Sequence, residues 1–155
     1  MDDSNVTRSI LREMLHRLGA HHILEAANGK SGIDKLCSVA PDVVILDWEM
    51  PDLSGGDFLR LVRSPGTFPF PETPIIVVSS HSEQKVVTEA FCAGVNEYLM
   101  KPVSPNSLRE RLVQVLIYPR PMLQVGAYYG PEPRKSAAIL RNQLSEGKDG
   151  VVWIE

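Results

Sequence analysis

The sequence predicts an α/β domain built on a parallel sheet. Two short runs, Val43-Val44-Ile45-Leu46-Asp47 and Ile75-Ile76-Val77-Val78-Ser79, are apolar without interruption and rich in β-branched residues. Strands buried on both faces have this character. Segments of helical periodicity lie around them, so strands and helices alternate along the chain. Both runs end in residues able to do chemistry, and ligands bind at the carboxyl ends of the strands in open parallel sheets.

The elements follow in order. Val6, Ile10, Met14 and Leu18 recur at intervals of four with Leu11 and Leu15 beside them, which predicts a helix that Gly19 ends. His22 to Ala26 reads as a short strand and Asn28-Gly29 as a turn. Gly32 to Val39 reads as a second helix, closed by Pro41, and the Asp47 strand comes next. Phe58, Leu59 and Val62 indicate a short third helix after the turn from Pro51 to Gly56. Pro65, Pro69, Pro71 and Pro74 mark a loop before the Ser79 strand. Ser82 is a candidate cap for a helix from about Glu83 to Ala93, with Gly94 ending it. Tyr98-Leu99-Met100 is a short strand leading into Lys101-Pro102. Ser104-Pro105 supplies a cap and a first-turn proline for a helix reaching about Ile117.

Composition narrows the function. The chain has 155 residues, which suits one full core, and a net charge of −3, which leaves no basic footprint for nucleic acid. No apolar run approaches a membrane span, and Met1 is followed at once by Asp2 and Asp3, so neither a membrane segment nor a secretory leader is expected. Cys37 and Cys92 are scattered on predicted helices, as in a reduced cytoplasmic protein. The expected location is the cytoplasm.

Three strands end in Asp47, Ser79 and Lys101, and Asp2-Asp3 directly precede the first helix. In a parallel sheet these positions share one rim. Two carboxylates ~4 Å apart repel by roughly 4 kcal/mol at an effective dielectric of 20, so three together call for a cation. A hard, oxygen-ligated ion such as Mg²⁺ fits. With charge neutralised by such an ion and by Lys101, a carboxylate can accept a phosphoryl group, and the Ser79 hydroxyl can bond one of its oxygens.

These pieces resemble the receiver domain of two-component response regulators. The match is carried by Asp2-Asp3-Ser4 with Arg8, Val44-Ile45-Leu46-Asp47 with Met50-Pro51 and Gly55, Pro74 to Ser80, Ala93-Gly94, and Tyr98-Leu99-Met100-Lys101-Pro102. The resemblance implies a flavodoxin-like fold with strand order 2-1-3-4-5. It implies that Asp47 is the phosphoacceptor and that Asp2, Asp3, Asp47 and the Glu49 backbone carbonyl hold Mg²⁺. Ser79 would be the switch hydroxyl, Lys101 the contact to the phosphoryl group, and Tyr98 the aromatic that follows Ser79. Glu49 and His81 would flank the phosphoryl group and tune its lifetime. The implied partners are a sensor histidine kinase or phosphotransfer protein upstream and a protein target downstream, with no direct DNA binding. The chain would be no enzyme beyond Mg²⁺-dependent self-phosphorylation. A phosphatase working through an aspartyl phosphate is disfavoured, because Glu49 stands where such enzymes carry a second aspartate.

One part of the pattern is missing. A receiver begins with a hydrophobic strand before its acidic pair, and here only Met1 stands there. That strand is the central one, and an empty slot would leave buried backbone groups unpaired at about 1–3 kcal/mol each. The receiver unit is expected over residues 1–118 and an extension over 119–155, with a short helix at about 136–144 and a strand at about 151–154. Either the start is mis-set or the native sequence lost, leaving a truncated, damaged receiver, or Val151-Val152-Trp153-Ile154 fills the slot in cis or, by strand exchange in a homodimer, in trans. A non-phosphorylated pseudo-receiver, serving as an interaction or dimerisation module, is the alternative function.

Overall fold

A computed structural model describes residues 1–134. The helix expected at 136–144 and the strand expected at 151–154 lie outside the described residues. Among the described residues five helices and five strands follow in the order α1 (Asn5–Arg17), α2 (Gly29–Val39), β1 (Val44–Asp47), α3 (Gly55–Val62), β2 (Ile75–Ser79), α4 (Gln84–Cys92), β3 (Glu97–Met100), α5 (Pro105–Leu116), β4 (Met122–Val125) and β5 (Tyr128–Pro131). The first three strands form a parallel sheet in the order β1-β2-β3, and β4-β5 is a separate antiparallel hairpin. The register sets Ile45 opposite Ile76, and Ser79 opposite Met100.

The alternation of the pleat divides the core into two layers. Ile75 and Val77 of β2 join Leu36, Leu46, Phe58, Leu59 and Ala90 on the face covered by α2, α3 and α4. Ile76 and Val78 join Leu11, Leu99, Leu108 and Val115 on the face covered by α1 and α5. Every residue of β2 is buried, which is why its sequence shows no polar alternation.

The caps refine the predicted boundaries. Ser104 and Ser107 form a reciprocal capping box with Pro105 at the first turn of α5, as expected. Helix α2 begins earlier than expected, because the Asn28 side chain accepts from Ser31 N at 2.8 Å and makes Gly29 the first helical residue rather than part of a turn. Helix α4 is capped at Glu83 without a side-chain hydrogen bond, so Ser82 is not its cap. The proline-broken stretch after α5 is not a loop throughout: Tyr128 inserts, buried, and its hydroxyl donates to Pro131 O at 2.7 Å, closing the β4-β5 hairpin.

That hairpin lies against the amino-terminal rim of the sheet. The Tyr129 carbonyl approaches Gly94 so closely that a Cβ there would sit 2.5 Å from the oxygen. Beside it, buried Arg63 donates to Gly94 O (2.8 Å), Pro71 O (2.6 Å), Thr73 O (2.9 Å) and Asn96 Oδ1 (2.8 Å). Asn96 Oδ1 also accepts from Ile75 N at 2.8 Å, so one network ties α3, the proline loop and the start of β2 and β3. Burial holds the Arg63 guanidinium down to about 10.

The predicted strand at His22–Ala26 does not form a ladder. Its neighbour in the expected order would be the missing strand. Among the described residues, Met1 stands at that position: its ammonium donates to Ile45 O at 2.7 Å, its carbonyl accepts from Asp47 N at 2.9 Å, and Asp2 N donates to Ala26 O at 3.2 Å. Residues 1 and 2 thus bridge β1 to the Ala26 segment at the carboxyl end alone. Below them lies a cavity of about 830 Å³, bordered by Met1, Leu11, Leu24, Val43, Ile45 and Leu112 among others.

Candidate functional site

The carboxyl rim gathers residues far apart in sequence. Asp47 ends β1 and is 5% exposed; Asp2, at the bridge to Ala26, is 1% exposed; Asp3 is exposed beside them. Lys101, just past β3, places its Nζ 2.9 Å from Asp47 Oδ2 and 3.0 Å from Asp2 Oδ2. The three aspartates offer one oxygen each within 4.8 Å of one another. Burial pushes the Asp47 carboxyl up; the Lys101 ammonium opposes this and the Asp2 charge adds to it. Burial pulls the Lys101 ammonium down, but its bonds to Asp47 and Asp2 prevail and hold it above the ordinary lysine value.

This donor set fits a hard divalent cation. Oxygens of three carboxylates converge, two of the carboxylates bind the Lys101 ammonium, and the third, Asp3, is exposed to accept an ion from solvent. The fit depends on backbone support that sequence reasoning missed. Arg8, one turn into α1, donates to Asp2 O (2.8 Å) and Asp3 O (3.2 Å), and its Nε pairs with Glu25 at 3.2 Å. Arg12 adds a second pair to Glu25 at 2.6 Å. These contacts clamp the acidic turn to the Ala26 segment where a strand would ordinarily hold it. The only sequence signal was Arg8 itself, noted for its position but not for this role.

The β1–α3 loop is tight. Gly55 N donates to Trp48 O at 2.9 Å, and a Cβ at Gly55 would lie 2.8 Å from Trp48 Cα and 3.0 Å from Asp47 O. Only glycine fits that close approach. Glu49 N donates to Asp47 Oδ1 at 3.2 Å, fixing the carboxylate orientation from the same loop.

Across the rim, buried Ser79 accepts from His81 N at 3.0 Å, and Tyr98 OH donates to His81 O at 2.8 Å. Ser79 and Tyr98 therefore hold opposite ends of the same loop residue. Burial raises the Tyr98 phenol above its ordinary value. His81 Nε2 meets Glu49 Oε1 at 2.6 Å and Nδ1 meets Glu83 Oε2 at 3.2 Å, and the bond to Glu49 leads in raising the imidazole above 6.5. Every residue expected at the site is thus gathered on one rim: Asp2, Asp3, Asp47 and Lys101 in direct contact range, with Ser79, His81, Tyr98 and Glu49 bordering them.

A sequence model of the response regulator receiver domain matches residues 1–113. The chain belongs to this family. It is 40% identical over 117 residues to the chemotaxis protein CheY1 of Helicobacter pylori, covering 75% of this chain and 93% of that protein. Among solved structures it resembles the chemotaxis protein CheY4 of Vibrio cholerae, with a TM-score of 0.66, 30% identity, and coverage of 74% of this chain and 93% of that one. It shares the fold of the receiver domain of a Pseudomonas aeruginosa sensor histidine kinase, with a TM-score of 0.67 at 24% identity, covering 75% of this chain and 93% of that one. That protein was solved with a magnesium ion coordinated in its active-site cleft. In this receiver, no helix among the described residues is long and apolar enough to cross a membrane.

Proposed function

We propose that this receiver is a phosphorylation switch whose phosphoacceptor is Asp47. The observation that carries this reading is the convergence of Asp47 with Asp2, Asp3 and the Lys101 ammonium at one buried rim. A carboxylate oxygen of Asp47 attacks the phosphorus of the donor, the donor's bond to phosphorus breaks, and its electron pair leaves with the donor group. Lys101, bound to Asp47 and Asp2, would neutralise an oxygen of the incoming group. Asp2, Asp3, Asp47 and the Glu49 carbonyl would hold Mg²⁺, as the magnesium-bound relative supports. When bound, Mg²⁺ supplies positive charge to the phosphoryl oxygens.

The readout follows from the hydrogen bonds of Ser79. Its oxygen accepts from the His81 N–H, so a shift of the Ser79 side chain toward a phosphoryl oxygen would draw on the His81 loop. That loop carries the carbonyl that Tyr98 OH binds, so Tyr98 would follow or find a new partner. Tyr98 lies on β3 between α4 and α5, and this face is where a downstream protein would read the change. The donor would be a phosphohistidine on a sensor kinase or phosphotransfer protein. The chain performs no other catalysis in this reading.

The test is incubation of the 155-residue protein with Mg²⁺ and acetyl phosphate, read by intact mass, with Asp47→Asn as control. One added phosphoryl group that requires both Mg²⁺ and Asp47 is expected. A folded protein that gains none overturns the switch and leaves the alternative, an interaction or dimerisation module, which the incomplete sheet beside β1 favours.

A further inference from the structure

The acidic turn is gripped from behind by a residue that touches none of its carboxylates. Arg8 of α1 has a side chain only 16% exposed. Its Nη1 donates to Asp2 O at 2.8 Å and to Asp3 O at 3.2 Å, and its Nη2 donates to Asn5 Oδ1 at 3.2 Å. Its Nε donates to Glu25 Oε2 at 3.2 Å, and Glu25 Oε1 accepts from Arg12 Nη1 at 2.6 Å. The two carbonyls belong to the residues whose carboxylates converge with that of Asp47. The Asp2 carboxylate has supports of its own, since Oδ1 accepts from Ser4 N at 2.8 Å and Oδ2 from Lys101 Nζ at 3.0 Å. Asp3 is exposed, so the backbone that carries it decides where its carboxylate can reach.

Two physical demands meet at Arg8. It holds two adjacent carbonyls and a carboxylate at once, which a planar guanidinium with fixed donors can do and a compact lysine ammonium cannot. Its positive charge also opposes a cation bound nearby. Glu25 answers both demands: it orients the guanidinium through Nε and offsets its charge. Given the Mg²⁺ site proposed above, we propose that Arg8, oriented by Glu25, is a positioning residue that sets the affinity of the acidic turn for the divalent cation without touching it. Partners that orient metal ligands from behind are worth about 10–100-fold in metal affinity. The Asp3 carboxylate depends on this grip more than the Asp2 carboxylate, which Ser4 N and Lys101 also hold.

The test titrates the full, unphosphorylated chain with MgCl₂ and follows the backbone amide NMR signals of Asp3 and Asp47. Arg8→Met should raise the Kd for Mg²⁺ about 10–100-fold. Arg8→Lys should recover only a small part of this, because the charge returns without the fork. Glu25→Gln should weaken binding in the same direction. Arg17→Met, which removes an exposed arginine of the same helix paired with Glu13, should leave the Kd unchanged. The Mg²⁺ concentration that half-saturates modification by acetyl phosphate should rise with the Kd in Arg8→Met, and excess Mg²⁺ should restore the rate. A purely structural role would lower the urea midpoint and leave the Kd in place. A folded Arg8→Met with an unchanged Kd therefore overturns the proposal while the Mg²⁺ site itself stands. A wild-type chain whose signals ignore Mg²⁺ overturns the metal reading and the proposal together. Should Arg8→Met fail to fold, Arg8→Lys and Glu25→Gln decide, and an unchanged Kd in both overturns the assignment.

Discussion

Replacing Lys101 by methionine tests the chemistry of the rim directly. The ammonium lies 2.9 Å from Asp47 Oδ2 and 3.0 Å from Asp2 Oδ2. At an effective dielectric of 20, each attraction is worth roughly 5–6 kcal/mol before desolvation is counted. The aspartate oxygens lie within 4.8 Å of each other. Their mutual repulsion on the same footing is at least about 3.5 kcal/mol. Methionine keeps the length and apolar stem of the side chain, so packing is largely preserved and the change is one of charge. With the Lys101 ammonium gone, the repulsion from Asp2 is opposed less, the Glu49 N–H remaining, and Asp47 is driven further up from a position that burial has already raised. A protonated or poorly oriented Asp47 is a weaker nucleophile, and the incoming phosphoryl oxygens lose a fixed positive partner. Loss of one such preorganised group costs about 10²–10³ in rate. The assay is the initial rate of mass gain with acetyl phosphate and Mg²⁺ at pH 7, with circular dichroism to show that the variant is folded. Lys101→Arg should recover only part of the rate, because a planar guanidinium cannot present one nitrogen to both carboxylates in the same geometry. A Lys101→Met rate within about threefold of wild type would refute the argument, since it falls far short of the expected factor.

Further outcomes follow from the same geometry. Gly55→Ala should lower stability by about 1–3 kcal/mol in urea unfolding and slow modification of Asp47, because the new methyl meets the backbone of Trp48 and Asp47 rather than a movable side-chain end. Arg63→Met should lower stability by the same measurement, since it strands carbonyls at Pro71, Thr73 and Gly94 at about 1–3 kcal/mol for each that stays buried and unpaired; an unchanged midpoint would show that the network is dispensable. The His81 imidazole should titrate above 6.5 by NMR, and Glu49→Gln should bring it down. Because its folded value is raised, the stabilising contribution of this pairing is fully present below the unfolded value of 6.5 and is lost as pH rises through the folded value.

Local chemistry determined much of this protein from the sequence alone. The unbroken apolar runs at Val43–Asp47 and Ile75–Ser79 read as doubly buried strands and Ser104-Pro105 as a helix start; the second strand is buried throughout, whereas Val43 and Ile45 of the first run are half-buried. Strands of known direction then put Asp47, Ser79 and Lys101 on one rim, so the chemistry of the site was legible before its geometry. Tertiary structure decided what depends on partners distant in the chain. His22–Ala26 has the composition of a strand, but a strand needs a neighbour, and among the described residues the position beside it holds only Met1 and Asp2. Ser82 has the chemistry of a cap, yet α4 starts after Glu83, and no pattern distinguishes adjacent candidates. The clamp of Arg8 and Arg12 on Glu25 joins α1 to a segment across a turn, and the Arg63 network joins groups up to 33 residues apart. Lys101 and Asp2 are separated by 99 residues. Periodicity and capping rules report on neighbours within a few residues, whereas these pairings are set by which surfaces the packed layers bring together.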